Sequence, residues 1–167
     1  MRTHIRLLSL AVALSASVFL IAAMPAHPIA TGNATILAST PGVGPLQLDF
    51  SLIELPNGIL VGSGEQYAPD VLGYVEYDLT SYELINGVMC MAGPITQSVN
   101  SPFPVGATWI LCLEDNSNGG SGAADRIATA VLPPGLTIQI IQAAFPGFLP
   151  PPDSAFTAVM SGNVKIH

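Results

Sequence analysis

Leu46, Leu48, Phe50 and Leu52 alternate with Gln47, Asp49 and Ser51. A period of two predicts a half-buried strand. Ile59 to Val61 follows Asn57-Gly58, a pair that signals a hairpin turn. LGYVEYDL at 72–79 is rich in aromatic and β-branched residues, which suit a pleated surface. Asn86-Gly87 then breaks the chain ahead of VMCMA at 88–92, and TWILCL at 108–113 has the continuous apolar run of a buried strand. Ile127, Thr129 and Val131 alternate within 126–132, and TIQIIQ at 137–142 and NVKIH at 163–167 complete the predicted strands. Gly- and Pro-rich clusters separate them: TPGVGP at 40–45, SPFP at 101–104, NSNGGSG at 116–122, PPG at 133–135 and PGFLPPPD at 146–153. No segment beyond the N-terminus shows a helical period. Short strands at regular spacing predict an all-β fold, a single antiparallel sandwich with an open barrel as the alternative.

The N-terminus has another pattern. Arg2 and Arg6 precede seventeen uncharged residues, Leu7 to Ala23, and Pro25-Ala26 follows. A basic head, an apolar middle and a small-residue exit predict a secretory signal. We expect a signal peptide over 1–26 and a secreted β-sandwich domain over 27–167. Ala23 and Ala30 are alternative cut sites, and the competing reading is an uncleaved membrane anchor.

Composition sharpens this. Of 4 Lys+Arg and 11 Asp+Glu, residues 27–167 keep only Arg126 and Lys165 but every acid, so their net charge is 2 − 11 = −9. Two cations cannot neutralise a run of phosphates, which argues against nucleic acid and anionic membrane surfaces as partners. We expect an unknown protein or glycan at the cell exterior instead, with no membrane contact after signal cleavage. Cys90 and Cys112 are the 2 cysteines, and export favours a disulfide between them over two buried thiols.

The densest polar cluster is EDNSNGGSGAAD at 114–125. Asp115, Asn116, Asn118 and Asp125 supply the hard oxygens that calcium prefers, although the spacing fails the EF-hand template. The competing reading is an ordinary loop in which the acids accept backbone N–H bonds. No other cofactor is expected. Glu76 and Asp78 point to one face of a strand, roughly 6.5–7 Å apart along it; paired carboxylates serve glycoside hydrolysis, and a solvent-facing strand is the plainer account. His27 and His167 sit at opposite ends of the 27–167 segment, so neither nucleophilic catalysis nor zinc finds its usual arrangement, and Ser121 in GGSGA lacks the strand-turn-helix setting of a nucleophile elbow. Phe148 and Leu149, with Phe145, lie among prolines in a stretch that either projects toward a partner or folds back over the core.

The second half resembles an exported bacterial β-domain family with a G-h-x-E-Y strand, a D-N-G with a nearby Asp, and a closing G-N-I-x-I-H. The matching residues are Gly73-Tyr74-Val75-Glu76-Tyr77, Asp115-Asn116 with Asp125, and Gly162-Asn163-Val164-Lys165-Ile166-His167. Ser117 stands where that family has Gly, and Pro146 to Pro152 enlarges the last loop. The family has no assigned activity. The resemblance implies a β-fold and a secreted or surface location, not a chemistry. We therefore expect a non-catalytic structural or binding module. A calcium-stabilised, carbohydrate-type binding domain is the second reading, and a hydrolase using acidic residues the third.

Overall fold

The computed structural model describes residues 26–38, 44–116 and 123–167. The expected signal segment, apart from Ala26, lies outside these residues. So do Asn118, Ser121 and most of the 114–125 glycine run. The strands are β1 (His27–Ile36), β2 (Leu46–Glu54), β3 (Leu60–Ala68), β4 (Gly73–Asp78), β5 (Ser81–Ile85), β6 (Val88–Val99), β7 (Thr108–Glu114), β8 (Arg126–Leu132) and β9 (Thr157–Ile166), with one helix, α1 (Ile138–Ala144).

The sheet runs β4-β3-β2-β1-β9-β8-β7-β6-β5, and β4 also pairs with β6. Eight antiparallel strands thus close into a barrel, and β5 hangs outside on β6. The long β6 makes this work: Val88–Ala92 pairs with β5, while Ile95–Val99 pairs with β4. Between the two lies Gly93, where a Cβ would run into the Asp78 carbonyl. The all-β expectation holds, but the two layers that alternation suggested are opposite walls of one closed sheet. Alternation cannot separate these cases, because a strand buries one face in either.

The barrel interior is the main core. Leu48, Phe50 and Leu52 face Val75, Tyr77, Trp109 and Leu111, all buried. Each such side chain contributes roughly 1.5–3 kcal/mol by leaving water. A second core lies outside the barrel wall, where Cys90, Ile110, Cys112 and Ala128 are covered by Ile138 and Ile141 of α1 and by Leu149. This double covering explains why VMCMA and WILCL are continuous apolar runs: β7 and residues 88–93 of β6 are buried on both faces. Cys90 and Cys112 are register partners on these strands, their Cα atoms 4.1 Å apart, and form the expected disulfide with an S–S distance of 2.07 Å.

One expected strand is a helix. TIQIIQ folds as α1, capped by Thr137, whose side chain accepts the Ile140 N–H. Ile138 and Ile141 face the outer core at i, i+3 spacing, and the Ser81 hydroxyl accepts the Ile138 N–H at 3.1 Å. A six-residue apolar run carries no period long enough to distinguish the two states, and the tertiary contact decided. The turn signals at Asn57-Gly58 and Asn86-Gly87 held, while those at 40–45 and 116–122 lie largely outside the described residues. Asn86 and Gly87 both have positive φ, 53° and 86°, as a two-residue hairpin between β5 and β6 requires. Among the described residues, no helix is long and apolar enough to cross a membrane.

Candidate functional site

One end of the barrel is open. There the end of β1, the start of β2, the β3–β4 turn, the β6–β7 loop and the last residues of β8 surround a cavity of about 310 Å³. The seam beside it is short: β8 meets β9 only at Arg126↔Ala158 and Ile127↔Thr157, so residues 129–131 leave β9 and edge the cavity. The aromatic wall is Trp109, held by parallel stacking on Tyr77 (5.1 Å between centroids) and an edge contact from Phe103 (5.6 Å). Val75, Leu46 and Val131 add apolar surface, and among the described residues no charged side chain lines the space.

Two residues of this lining each carry a polar atom buried without a partner and turned away from the cavity: Gln66 Oε1 and Trp109 Nε1. Gln66 is 8 % exposed and Trp109 1 %. Buried polar groups are nearly always paired, since an unmade bond leaves the full desolvation cost standing. Three other polar side chains at the mouth are engaged. Asn100 donates to the Leu72 carbonyl at 3.3 Å, Ser101 Oγ accepts the Phe103 N–H at 3.3 Å, and the Tyr74 hydroxyl donates to glutamates outside the barrel. Gln66 reaches the interior because Leu48↔Gln66 and Gln66↔Val75 put it on the inward face of β3, after Gly62 and Gly64. Deeper in, the Tyr77 hydroxyl is also buried and unpaired. Burial pushes its pKa well above the usual 10; the Trp109 N–H nearby opposes this, but it lies outside hydrogen-bonding geometry.

The expected calcium ligands lie at the opposite end. Asp125 Oδ1 accepts the Asn116 N–H at 3.0 Å, and its Oδ2 accepts the Val164 N–H at 3.3 Å. Asp115 Oδ2 accepts the Ile166 N–H at 3.3 Å, and Asn116 Nδ2 donates to the Ala124 carbonyl at 3.0 Å. These acids tie the closing strand β9 to the β7–β8 connection. Beside them Arg126 pairs with Glu114 at 2.6 Å and with Asp153 at 3.3 Å, its guanidinium over the Phe156 ring. No three His, Cys, Asp or Glu side chains converge to hold a metal among the described residues.

Glu76 and Asp78 share the outward face of β4, as their spacing predicts. Register aligns Asp49, Glu65 and Glu76 across β2, β3 and β4, with Asp78 opposite Ser63. Tyr74 bridges the row: its hydroxyl donates to Glu65 Oε2 at 2.9 Å and contacts Glu76 Oε1 closely. Those bonds, to Glu76 first, and partial burial raise its pKa far above the usual value. His167 Nε2 lies 3.4 Å from Thr31 Oγ1.

Leu149 is 7 % exposed and belongs to the outer core, so it turns inward rather than toward a partner. Phe148 is 38 % exposed and Phe145 49 %, their ring centroids 6.5 Å apart. The sequence pattern marked neither Gln66 nor the cavity, and it placed Trp109 in the core; only strand register shows that a lone glutamine follows two inward glycines. Protein-family models, curated proteins and solved structures were all compared with this chain, and none matches it.

Proposed function

We propose that this protein is an exported, non-catalytic binding module that holds a small molecule in the open end of its barrel. The cavity carries this reading: about 310 Å³ of concave surface walled by Trp109, Phe103, Val75 and Leu46. Ligand sites are typically apolar concavities of this kind. The basic head and apolar run of residues 1–23, the acidic composition of 27–167 and the Cys90–Cys112 disulfide support a secreted or cell-surface location. The family resemblance points the same way. A calcium-dependent role ranks lower, because Asp115 and Asp125 already accept backbone N–H groups. A hydrolase would instead draw on Asp49, Glu65, Glu76 and Asp78, which line a separate polar concavity of about 370 Å³ on the outer wall.

The test is native mass spectrometry of the protein recovered from the medium of an exporting host. We expect an organic adduct at one per chain, and expect Ala68→Trp, which fills the mouth, to abolish it. Retention in the cytosol with residues 1–26 intact would sink the location, and equal adduct levels in Ala68→Trp would sink the site.

A further inference from the structure

We infer that the free edge of β8 above the β8–β9 seam takes an extended, uncharged segment of another polypeptide, which adds there as a strand and sets alternate side chains into two apolar hollows. This goes beyond the small-molecule reading and does not depend on it.

Backbone direction along β8 is fixed in two ways. Cys90 and Cys112 stand 4.1 Å apart at Cα, the spacing of a non-hydrogen-bonded pair, so Cys112 turns its N–H and carbonyl the other way, to Ala128. The Asp125 carbonyl, one residue before β8, accepts the Val159 N–H of β9 at 2.8 Å. Even-numbered residues of β8 therefore bond β7, and odd-numbered ones face β9. Ile127 meets Thr157 there. Since β9 begins at Thr157, Thr129 and Val131 aim two N–H donors and two carbonyl acceptors past its start, and no described residue pairs with them on that side. An unpaired strand edge is a template for an added strand.

The two hollows lie on opposite sides of this edge. Thr129 and Val131 line the barrel cavity of about 310 Å³. Ala128 and Ala130 line a second hollow of about 280 Å³, walled by Phe148, Leu149 and Pro152 on the outer face. Successive side chains of a strand point to opposite faces, so a segment laid along Thr129–Val131 reaches both at once. Among the described residues neither lining holds a charged side chain, so a charge on the segment would lose water without gaining a counter-ion. A second copy of this chain fits less well, because both partners would be strongly acidic.

The probe is a capped Thr-Val-Ala-Val-Thr peptide, titrated by calorimetry into the purified, oxidised protein and mapped by amide hydrogen exchange. Two analogues accompany it: one N-methylated throughout, which keeps the side chains and loses the ladder donors, and one with Glu at the centre. We expect the plain peptide to bind at least ten-fold more tightly than either analogue. It should also protect the Thr129 and Val131 amides, which exchange fast in the free protein while Ala128 and Ala130 exchange slowly. Thr129→Pro deletes a donor that faces the seam and not β7, so it should keep the fold and weaken the peptide about ten-fold. Strand addition is overturned if the N-methylated analogue binds equally, if nothing binds at millimolar concentration, or if the Thr129 and Val131 amides of the free protein are as protected as those of Ala128 and Ala130. Equal binding of the Glu analogue overturns the requirement for an uncharged segment. Should Thr129→Pro not fold, the peptide comparison on the unaltered protein decides. These outcomes are separate from the adduct test of the small-molecule reading.

Discussion

Gly64→Ala sets two effects of known size against each other. Gly64 lies in the middle of β3, facing inward and paired with Phe50 and Tyr77. Alanine restricts the unfolded chain more than glycine, which by itself would stabilise a strand by roughly 0.4–1 kcal/mol. The structure argues for the opposite sign. A Cβ at this position would sit 2.6 Å from both Cζ and the hydroxyl oxygen of Tyr77, where atoms in good contact stand about 3.5–4.0 Å apart. The ring has nowhere to retreat, being 1 % exposed and stacked on Trp109 at 5.1 Å. Overpacking of this kind costs roughly 1–3 kcal/mol. The net expectation is a loss of about 1–2 kcal/mol, lowering Tm by about 3–6 °C for a domain of this size. Urea unfolding followed by Trp109 emission measures it. Tyr77→Leu supplies the control: with the ring gone, the added methyl has room, and the double-mutant cycle should show at least about 1 kcal/mol of coupling. If Gly64→Ala matches or exceeds the parent in stability, the packing of β3 against Tyr77 is wrong.

Removing the disulfide as Cys90→Ala with Cys112→Ala opens a loop of separation 22 and should cost about 3 kcal/mol, read as a lower urea midpoint. Asp125→Asn weakens two bonds from the Asn116 and Val164 N–H groups and should cost about 1–2 kcal/mol; millimolar calcium should not move the melting temperature of the parent, and a rise of several degrees would restore calcium as a ligand. Tyr77→Phe removes an unpaired buried hydroxyl, so at neutral pH it should cost nothing or gain up to about 1 kcal/mol. Its effect grows in alkali. The unfolded chain ionises Tyr77 near the usual 10 while the folded chain keeps the proton, so this group's stabilising contribution is complete below that pH and falls by about 1.4 kcal/mol per unit above it. Stability against pH should therefore decline less steeply beyond pH 10 in Tyr77→Phe than in the parent.

Alternation along 46–52, the continuous runs at 88–92 and 108–113, and Asn57-Gly58 and Asn86-Gly87 were enough to predict antiparallel strands and two of their turns, while the cysteine pair followed from the export signal. These are local properties: a strand with one wet face must alternate, and a two-residue turn needs positive φ. β1, the bulk of β3, β5 and the first half of β9 went unseen, and the first two have a common cause. Their inward positions hold Ala30, Gly32 and Ala34, or Gly62, Gly64 and Gln66, where the Phe50 and Tyr77 rings fill the space that side chains would occupy. Small residues leave no hydrophobic period, so such strands are invisible without their partners. Closure was equally out of reach. Whether β4 meets β6 depends on strand tilt, on the close approach of the Asp78 backbone to Gly93 and on register accumulated around the sheet, and none of these is a property of a single segment. The cavity follows from that closure: Gln66 and Trp109 are far apart in sequence, and they line one space only because the wall returns on itself.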